Sequence, residues 1–107
     1  MKSSTMSLLK PPEVQSALAA VPCWRRRGAG IARVCEFKDF VAAMRFVNVV
    51  ARAAERAWHH PDVDIRWNTV TLVLCTHSAG GLTAKDFAMA ARIDRLAARH
   101  KARPEKG

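Results

Sequence analysis

Three of the chain's four histidines fall inside one stretch that runs from Glu55 to Asp86 and also holds His59-His60-Pro61, Trp67 and His77. Imidazole titrates near neutrality and can both give and take a proton, and a carboxylate beside it fixes its tautomer or raises its basicity. Two adjacent imidazoles before a proline are poor packing material, because a run that must bury one face seldom sets two titratable rings side by side. Three histidines with Glu55 and Asp86 therefore read as a site rather than as structural caps. Two chemistries compete. Three imidazoles with an open fourth position would suit catalytic zinc. Against zinc, HExxH is absent, and adjacent side chains such as His59 and His60 diverge along an extended stretch. Metal-free acid/base catalysis carries neither objection. No nucleophile is well supported: Cys75 would share a strand face with His77, but it lies in an apolar strand without a matching motif.

These residues must be positioned by the elements around them. Pro11-Pro12-Glu13 opens a short helix with Val14, Leu18 and Val21 on one face, and Pro22 marks its stop. Gly28-Ala29-Gly30 separates two runs, Cys23 to Arg27 and Ile31 to Phe37, which predicts a hairpin. From Lys38 to Trp58 there is no proline or glycine. Phe40, Met44, Val47, Ala51, Ala54 and Trp58 recur at helical steps, so this stripe is the expected buried face, with Lys38, Arg45, Arg52 and Arg56 opposite. Pro61 ends the helix by disfavouring helical geometry at His60.

Val63, Ile65 and Trp67 then alternate with polar residues, and Val70, Leu72 and Leu74 do the same. A two-residue loop at Asn68-Thr69 would set Trp67 opposite Val70, Ile65 opposite Leu72 and Val63 opposite Leu74. Continued outward, that register puts His60 opposite His77, so the three histidines are expected to meet at the open end of the hairpin. After Gly80-Gly81, Thr83-Ala84-Lys85-Asp86 has the form of a capping box and opens a helix to about His100, with Phe87, Ala90, Ile93 and Ala97 as its apolar stripe, widened by Met89 and Leu96. The order helix-strand-strand-helix-strand-strand-helix predicts an α+β fold: a single four-stranded antiparallel sheet with the helices packed on one face. A sheet this small has open edges, and pairing them between subunits is a common remedy.

A length of 107 residues, half of them apolar, predicts a single domain over 1–107, with 1–10 and 101–107 flexible. Three cysteines without a CxxC pair read as reduced thiols. The net charge of +9 raises nucleic-acid binding as a class. Its distribution argues against specific recognition: one run at Arg25-Arg26-Arg27, single residues along helices, and the tail Arg95, Arg99, Lys101, Arg103 and Lys106. Apart from Trp24, no aromatic accompanies either cluster to stack on bases. No apolar run approaches the roughly 18 residues that span a bilayer, and Met1 to Lys10 lacks the apolar centre of a signal peptide, so a cytoplasmic protein without membrane attachment is expected.

Glu55, His59-His60-Pro61, Trp67, His77 and Asp86, in this order and at these spacings, resemble the signature of the pterin-4a-carbinolamine dehydratases, also called 4a-hydroxytetrahydrobiopterin dehydratases. Phe37-Lys38-Asp39-Phe40, Thr76-His77 and Gly81-Leu82-Thr83 extend the resemblance, which covers about residues 12–97. It implies a hydro-lyase that dehydrates the 4a-carbinolamine left on a pterin by an aromatic amino acid hydroxylase, with no metal or organic cofactor. By the same resemblance His59, His60 and His77 are catalytic, Glu55 and Asp86 bind substrate or orient the rings, and the chain forms a homodimer or homotetramer. Some relatives bind the dimerisation helices of a transcription factor and others are linked to molybdopterin metabolism, so the alternative is a non-catalytic interaction protein or a molybdopterin-related pterin binder. Trp58, before the histidine pair, stands at a position often polar in relatives, and Lys85, before Asp86, is basic as in some of them, so the resemblance does not extend to pocket polarity and substrate preference.

Overall fold

The computed structural model describes residues 7–103. Helix α1 (Pro11–Ala20) starts on its proline pair, and the carboxylate of Glu13 turns back to accept the Lys10 amide at 2.7 Å. Strands β1 (Arg25–Arg27) and β2 (Gly30–Glu36) pair antiparallel through a turn at Gly28-Ala29, where Gly28 takes a φ of 58° that favours glycine. Helix α2 (Phe40–Ala57) is capped by Asp39, whose side chain accepts the Ala42 amide. Strands β3 (Asp62–Arg66) and β4 (Thr69–Leu74) form the second hairpin. A 3-10 turn (His77–Ala79) leads to α3 (Ala84–Arg99), which opens on the expected capping box of Thr83 and Asp86.

The sheet runs β1-β2-β4-β3 and is antiparallel throughout, so β2 and β4 are central and β1 and β3 are edges. Ile31, Cys35, Val70, Leu72 and Leu74 of the sheet join Phe46 and Val50 of α2 and Met89 and Ile93 of α3 in one buried cluster. The expected α+β architecture is the one found.

Two local expectations are corrected. The β3–β4 turn sits at Trp67-Asn68, not Asn68-Thr69, so Ile65 pairs with Val70 and Val63 with Leu72. The cause is tertiary. Asn68 is buried and clamps Phe37: its carbonyl accepts the Phe37 amide and its side-chain amide donates to the Phe37 carbonyl at 2.8 Å. That clamp fixes Asn68 as the second turn residue and leaves Trp67 outside, 70% exposed with a φ of 53°. The shift keeps Val63 and Ile65 on their expected face but takes Trp67 out of the pairing and removes His60 from opposition to His77.

The second correction concerns α2. Its buried residues are Ala43, Phe46, Val50, Ala53 and Ala54, while Phe40, Ala51 and Trp58 of the expected stripe are exposed. Both stripes are apolar at helical spacing, and contact with α3 and β4 selects the one turned inward.

Arg33 lies on the inward face of β2 with Ile31 and Cys35, which would be costly unpaired. Asp94 of α3 meets it at 2.5 Å and accepts the Trp24 indole N–H at 2.8 Å. This pin ties β2, the β1 approach and α3 together. At the ends, the Leu9 amide bonds the Leu82 carbonyl, and Arg103 forms a bridge to Glu36; residues 1–6 and 104–107 of the segments expected to be flexible lie outside the described residues. Among the described residues no helix is long and apolar enough to cross a membrane.

Candidate active site

The break after α2 decides where the two adjacent histidines point. Trp58 caps the helix in the left-handed region, φ 51° and ψ 46°, and the amides of Trp58 and His59 turn back to carbonyls of Glu55 and Ala54. The chain leaves extended, so successive side chains diverge. His59 goes inward and is buried; His60 goes outward and is exposed.

His59 meets Asp86 at the N-terminus of α3, Nε2 to Oδ1 at 2.6 Å. Asp86 is fully buried, and its Oδ2 accepts the Thr76 hydroxyl at 2.8 Å and the Thr83 amide at 3.0 Å. A carboxylate can only accept, so His59 donates from Nε2 and its Nδ1 is left for other work. The hydroxyl of Thr76 spends its one proton on Asp86, so across the 2.8 Å Thr76–Thr83 contact it is Thr83 that donates. Thr83 in turn accepts the Lys85 amide. The proton order is therefore Thr83 to Thr76 to Asp86, with His59 donating from the other side. Such compensation is what allows a charge to sit out of water.

His60 bonds Glu55 instead, Nε2 to Oε2 at 2.7 Å, and its ring stands edge-on to Trp58 with centroids 5.1 Å apart. Glu55 and His60 sit at the rim of a cavity of about 180 Å³ walled by Val47, Val50, Pro61 and Leu72. Larger hollows of about 440 and 470 Å³ occur elsewhere, but neither contains one of the five predicted site residues. His77 opens the 3-10 turn, is exposed, and makes no side-chain hydrogen bond among the described residues. It follows Thr76 directly, so Asp86 links the His59 side of the site to the backbone that carries His77.

The five residues thus form two carboxylate–imidazole pairs, Asp86 with His59 and Glu55 with His60, plus His77 beside the first. The hairpin register does not bring His60 opposite His77. Thr76 and Thr83 hold Asp86 and were not among the predicted site residues; the signal for them is a hydroxyl next to His77 and another three before a buried acid. Burial raises the Cys75 thiol above its ordinary range, helped by Asp86 and Asp62, so the neighbouring sulfur is kept protonated. Among the described residues no group of three or more His, Cys, Asp or Glu side chains converges as a metal-binding cluster.

Comparison with known proteins bears on this geometry. The family model described as pterin 4 alpha carbinolamine dehydratase matches residues 7–96. A chain of Acidobacterium capsulatum, provisionally named pterin-4-alpha-carbinolamine dehydratase, is 54% identical over 91 residues, covering 85% of this chain and 99% of that one. A chain of Nocardia farcinica with the same provisional name is 52% identical, covering 87% and 98%. The crystal structure of a transcriptional coactivator/pterin dehydratase from Brucella melitensis superposes with a TM-score of 0.80 at 35% identity, covering 83% of this chain and 97% of that one.

Proposed function

The chain belongs to the pterin 4 alpha carbinolamine dehydratase family of hydro-lyases, and on that premise we propose acid/base catalysis by its histidines. The reaction takes 4a-hydroxytetrahydropterin to quinonoid dihydropterin and water, within the recycling of tetrahydrobiopterin after an aromatic amino acid hydroxylase has turned over. The C4a–O bond breaks as the hydroxyl takes a proton and leaves as water. N5 gives up its proton, and the C4a–N5 double bond closes the balance. Neither transfer needs a group beyond imidazole.

His60 and His77 carry the two transfers, because theirs are the reachable rings. Glu55 holds Nε2 of His60 and leaves Nδ1 without a partner among the described residues. His59, held by Asp86 at the buried side, binds and orients the pterin. The observation that carries this reading is the His59–Asp86 pair: a fully buried carboxylate, held by the Thr76 hydroxyl and the Thr83 amide, fixes the tautomer of the imidazole beside it. The proposed enzyme works in the cytoplasm, as a homodimer or homotetramer. Stopped-flow dehydration of freshly made 4a-hydroxytetrahydropterin by the wild type, His60→Ala and His77→Ala tests the catalytic assignment; undiminished rates in both variants would refute it.

A second reading rests on α2. Phe40 and Val41 are 49% and 57% exposed at its start, and a helix with apolar residues facing solvent suits a partner's helix. The chain would then act as a coactivator-like dimerisation partner; the Brucella melitensis protein is named a transcriptional coactivator as well as a pterin dehydratase. Loss of a helical partner in Phe40→Asp with dehydration intact would support it, and retention would dismiss it.

A further inference from the structure

At the end of α2 away from His59 and His60, a groove of about 440 Å³ is lined by Lys38, Ala42, Arg45, Arg99, His100 and Lys101. Five of these six are basic residue types, drawn from two helix ends that are 54 or more positions apart in the chain. The fold brings them together deliberately. Lys101 takes a φ of 60°, which turns the chain out of α3, and Arg103 then bridges to Glu36 through its backbone and its guanidinium. That bridge draws the exit of α3 against the entry to α2, with Lys38 on one side and Lys101 on the other.

The ordinary reasons for cations here are already met by other groups. Basic residues at a helix C-terminus usually serve its free carbonyls. At this one the carbonyls of Leu96, Ala97 and Ala98 accept the backbone amides of His100, Ala102 and Lys101, so the side chains of Arg99 and Lys101 are not needed there. The nearby carboxylates are also engaged: Asp39 takes the Ala42 amide and Glu36 takes Arg103. Elsewhere on the molecule Arg33 and Arg66 have acidic partners. Lys38, Arg45, Arg99 and Lys101 have none among the described residues. Four like charges converging without an ion pair among the described residues repel one another, and an anion joining them relieves that repulsion.

We propose that this groove binds a compact, multiply charged anion of the diphosphate class. Its volume is that of a small-molecule site, and planar guanidinium forks with ammonium groups are the usual cradle for phosphate oxygens. A single phosphate would leave half the charge unanswered. A nucleic acid strand fits less well, since no phenylalanine or tryptophan lines the groove to offer a base a stacking face. The site is separate from His59, His60 and His77 and independent of the dehydratase assignment.

The experiment is an amide chemical-shift titration of the full chain at about 0.1 M salt, where surface charge is moderately screened. Inorganic pyrophosphate, ADP and a short single-stranded RNA are the probes. Saturable shifts centred on Lys38, His100 and Lys101 are expected with pyrophosphate, weakened at least about tenfold in Arg45→Glu/Arg99→Glu, with the dehydration rate unchanged. Equal binding of ADP would identify diphosphate esters as the ligand class; binding of pyrophosphate alone would identify the free anion. Lys38→Gln/Lys101→Gln provides a milder variant that must also weaken binding. Absent or non-saturating shifts, shifts centred on Arg25 to Arg27, or RNA bound in preference to pyrophosphate would each overturn the proposal.

Discussion

Nε2 of His59 lies 2.6 Å from Oδ1 of Asp86, although the two residues are 27 positions apart and belong to different helices' ends. The contact does two jobs with one carboxylate. Asp86 is the third residue of α3 and closes its capping box through the Thr83 amide, so the group that starts the helix also sets the imidazole tautomer. Folding and ring orientation are coupled at this point: the carboxylate that holds His59 is the one that closes the capping box of α3.

Replacing Asp86 with asparagine removes the charge while keeping the shape. The amide can accept at one atom only, so either His59, or the Thr76 hydroxyl and the Thr83 amide together, face an N–H₂ group. The unfolding free energy is expected to fall by about 1–3 kcal/mol, read by urea denaturation. Dehydration is expected to fall with it, because His59 is then free to take the other tautomer. An unchanged midpoint and rate would show that the carboxylate is dispensable.

His60 and His77 are exposed, so cutting either to alanine is expected to shift the melting temperature by no more than a few degrees, His60 the more because it loses its Glu55 and Trp58 contacts, and to leave the circular dichroism spectrum unaltered. Each is expected to slow dehydration by about tenfold to a hundredfold, the low end of what a positioned acid or base supplies. Stability separates these two positions from His59, whose removal would also leave buried Asp86 short of a donor.

Much of what positions these residues was legible before any fold was known. Pro61 fixed the end of α2, and Thr83 through Asp86 spelled the start of α3, because both signals act within a single turn of chain. Strand parity was legible too, since an apolar side chain facing water is penalised whatever the neighbours. The pairings were not. Whether Glu55 takes His59 or His60 depends on the left-handed conformation at Trp58, which a bulky aromatic does not advertise. The hairpin turn was misplaced because Asn68 answers to Phe37, 31 residues away, rather than to its own strands. The buried face of α2 could not be chosen from two apolar stripes without α3. The partner of Arg33 was missed although an inward arginine between Ile31 and Cys35 demands an acid.

Trp58 holds a conformation that costs a non-glycine residue roughly 1–2 kcal/mol, and its ring is 72% exposed, so little burial offsets that cost. Its edge contact with His60 returns about 0.5–1.5 kcal/mol at best. Trp58→Gly is therefore expected to raise stability by up to about 1 kcal/mol in chemical denaturation. A fall of similar size would mean that the indole–imidazole contact outweighs the backbone strain.

Cys75 supplies a pH dependence with a definite sign. Burial, then Asp86 and Asp62, hold its thiol above the ordinary range, so the native chain keeps the proton after the unfolded chain has lost it. Its contribution to stability is thus full below the unfolded thiol's pKa, declines as pH rises through that value, and levels off above the folded one. Alkylation of Cys75 at mildly alkaline pH is expected to be slower in the native protein than in urea. Cys75→Ser, which keeps a small polar atom there, is expected to abolish this pH dependence and to preserve dehydration.

Gly30 connects the far hairpin to the site. A Cβ built on it would stand 2.3 Å from the Leu74 carbonyl oxygen, a backbone atom of the central strand, and 3.3 Å from Cβ of Cys75. No rotamer relieves a clash with backbone, so in Gly30→Ala either β2 or the end of β4 must move. Thr76 follows two residues after Leu74 and reaches Asp86 at 2.8 Å, so moving β4 lengthens a buried charge-assisted hydrogen bond. The substitution is expected to cost about 2 kcal/mol or more of stability and to lower the dehydration rate, although Gly30 contacts none of the histidines. Gly28→Ala serves as the control: its Cβ meets nothing within 4 Å, so only the positive φ is penalised, and activity at permissive temperature is expected to survive.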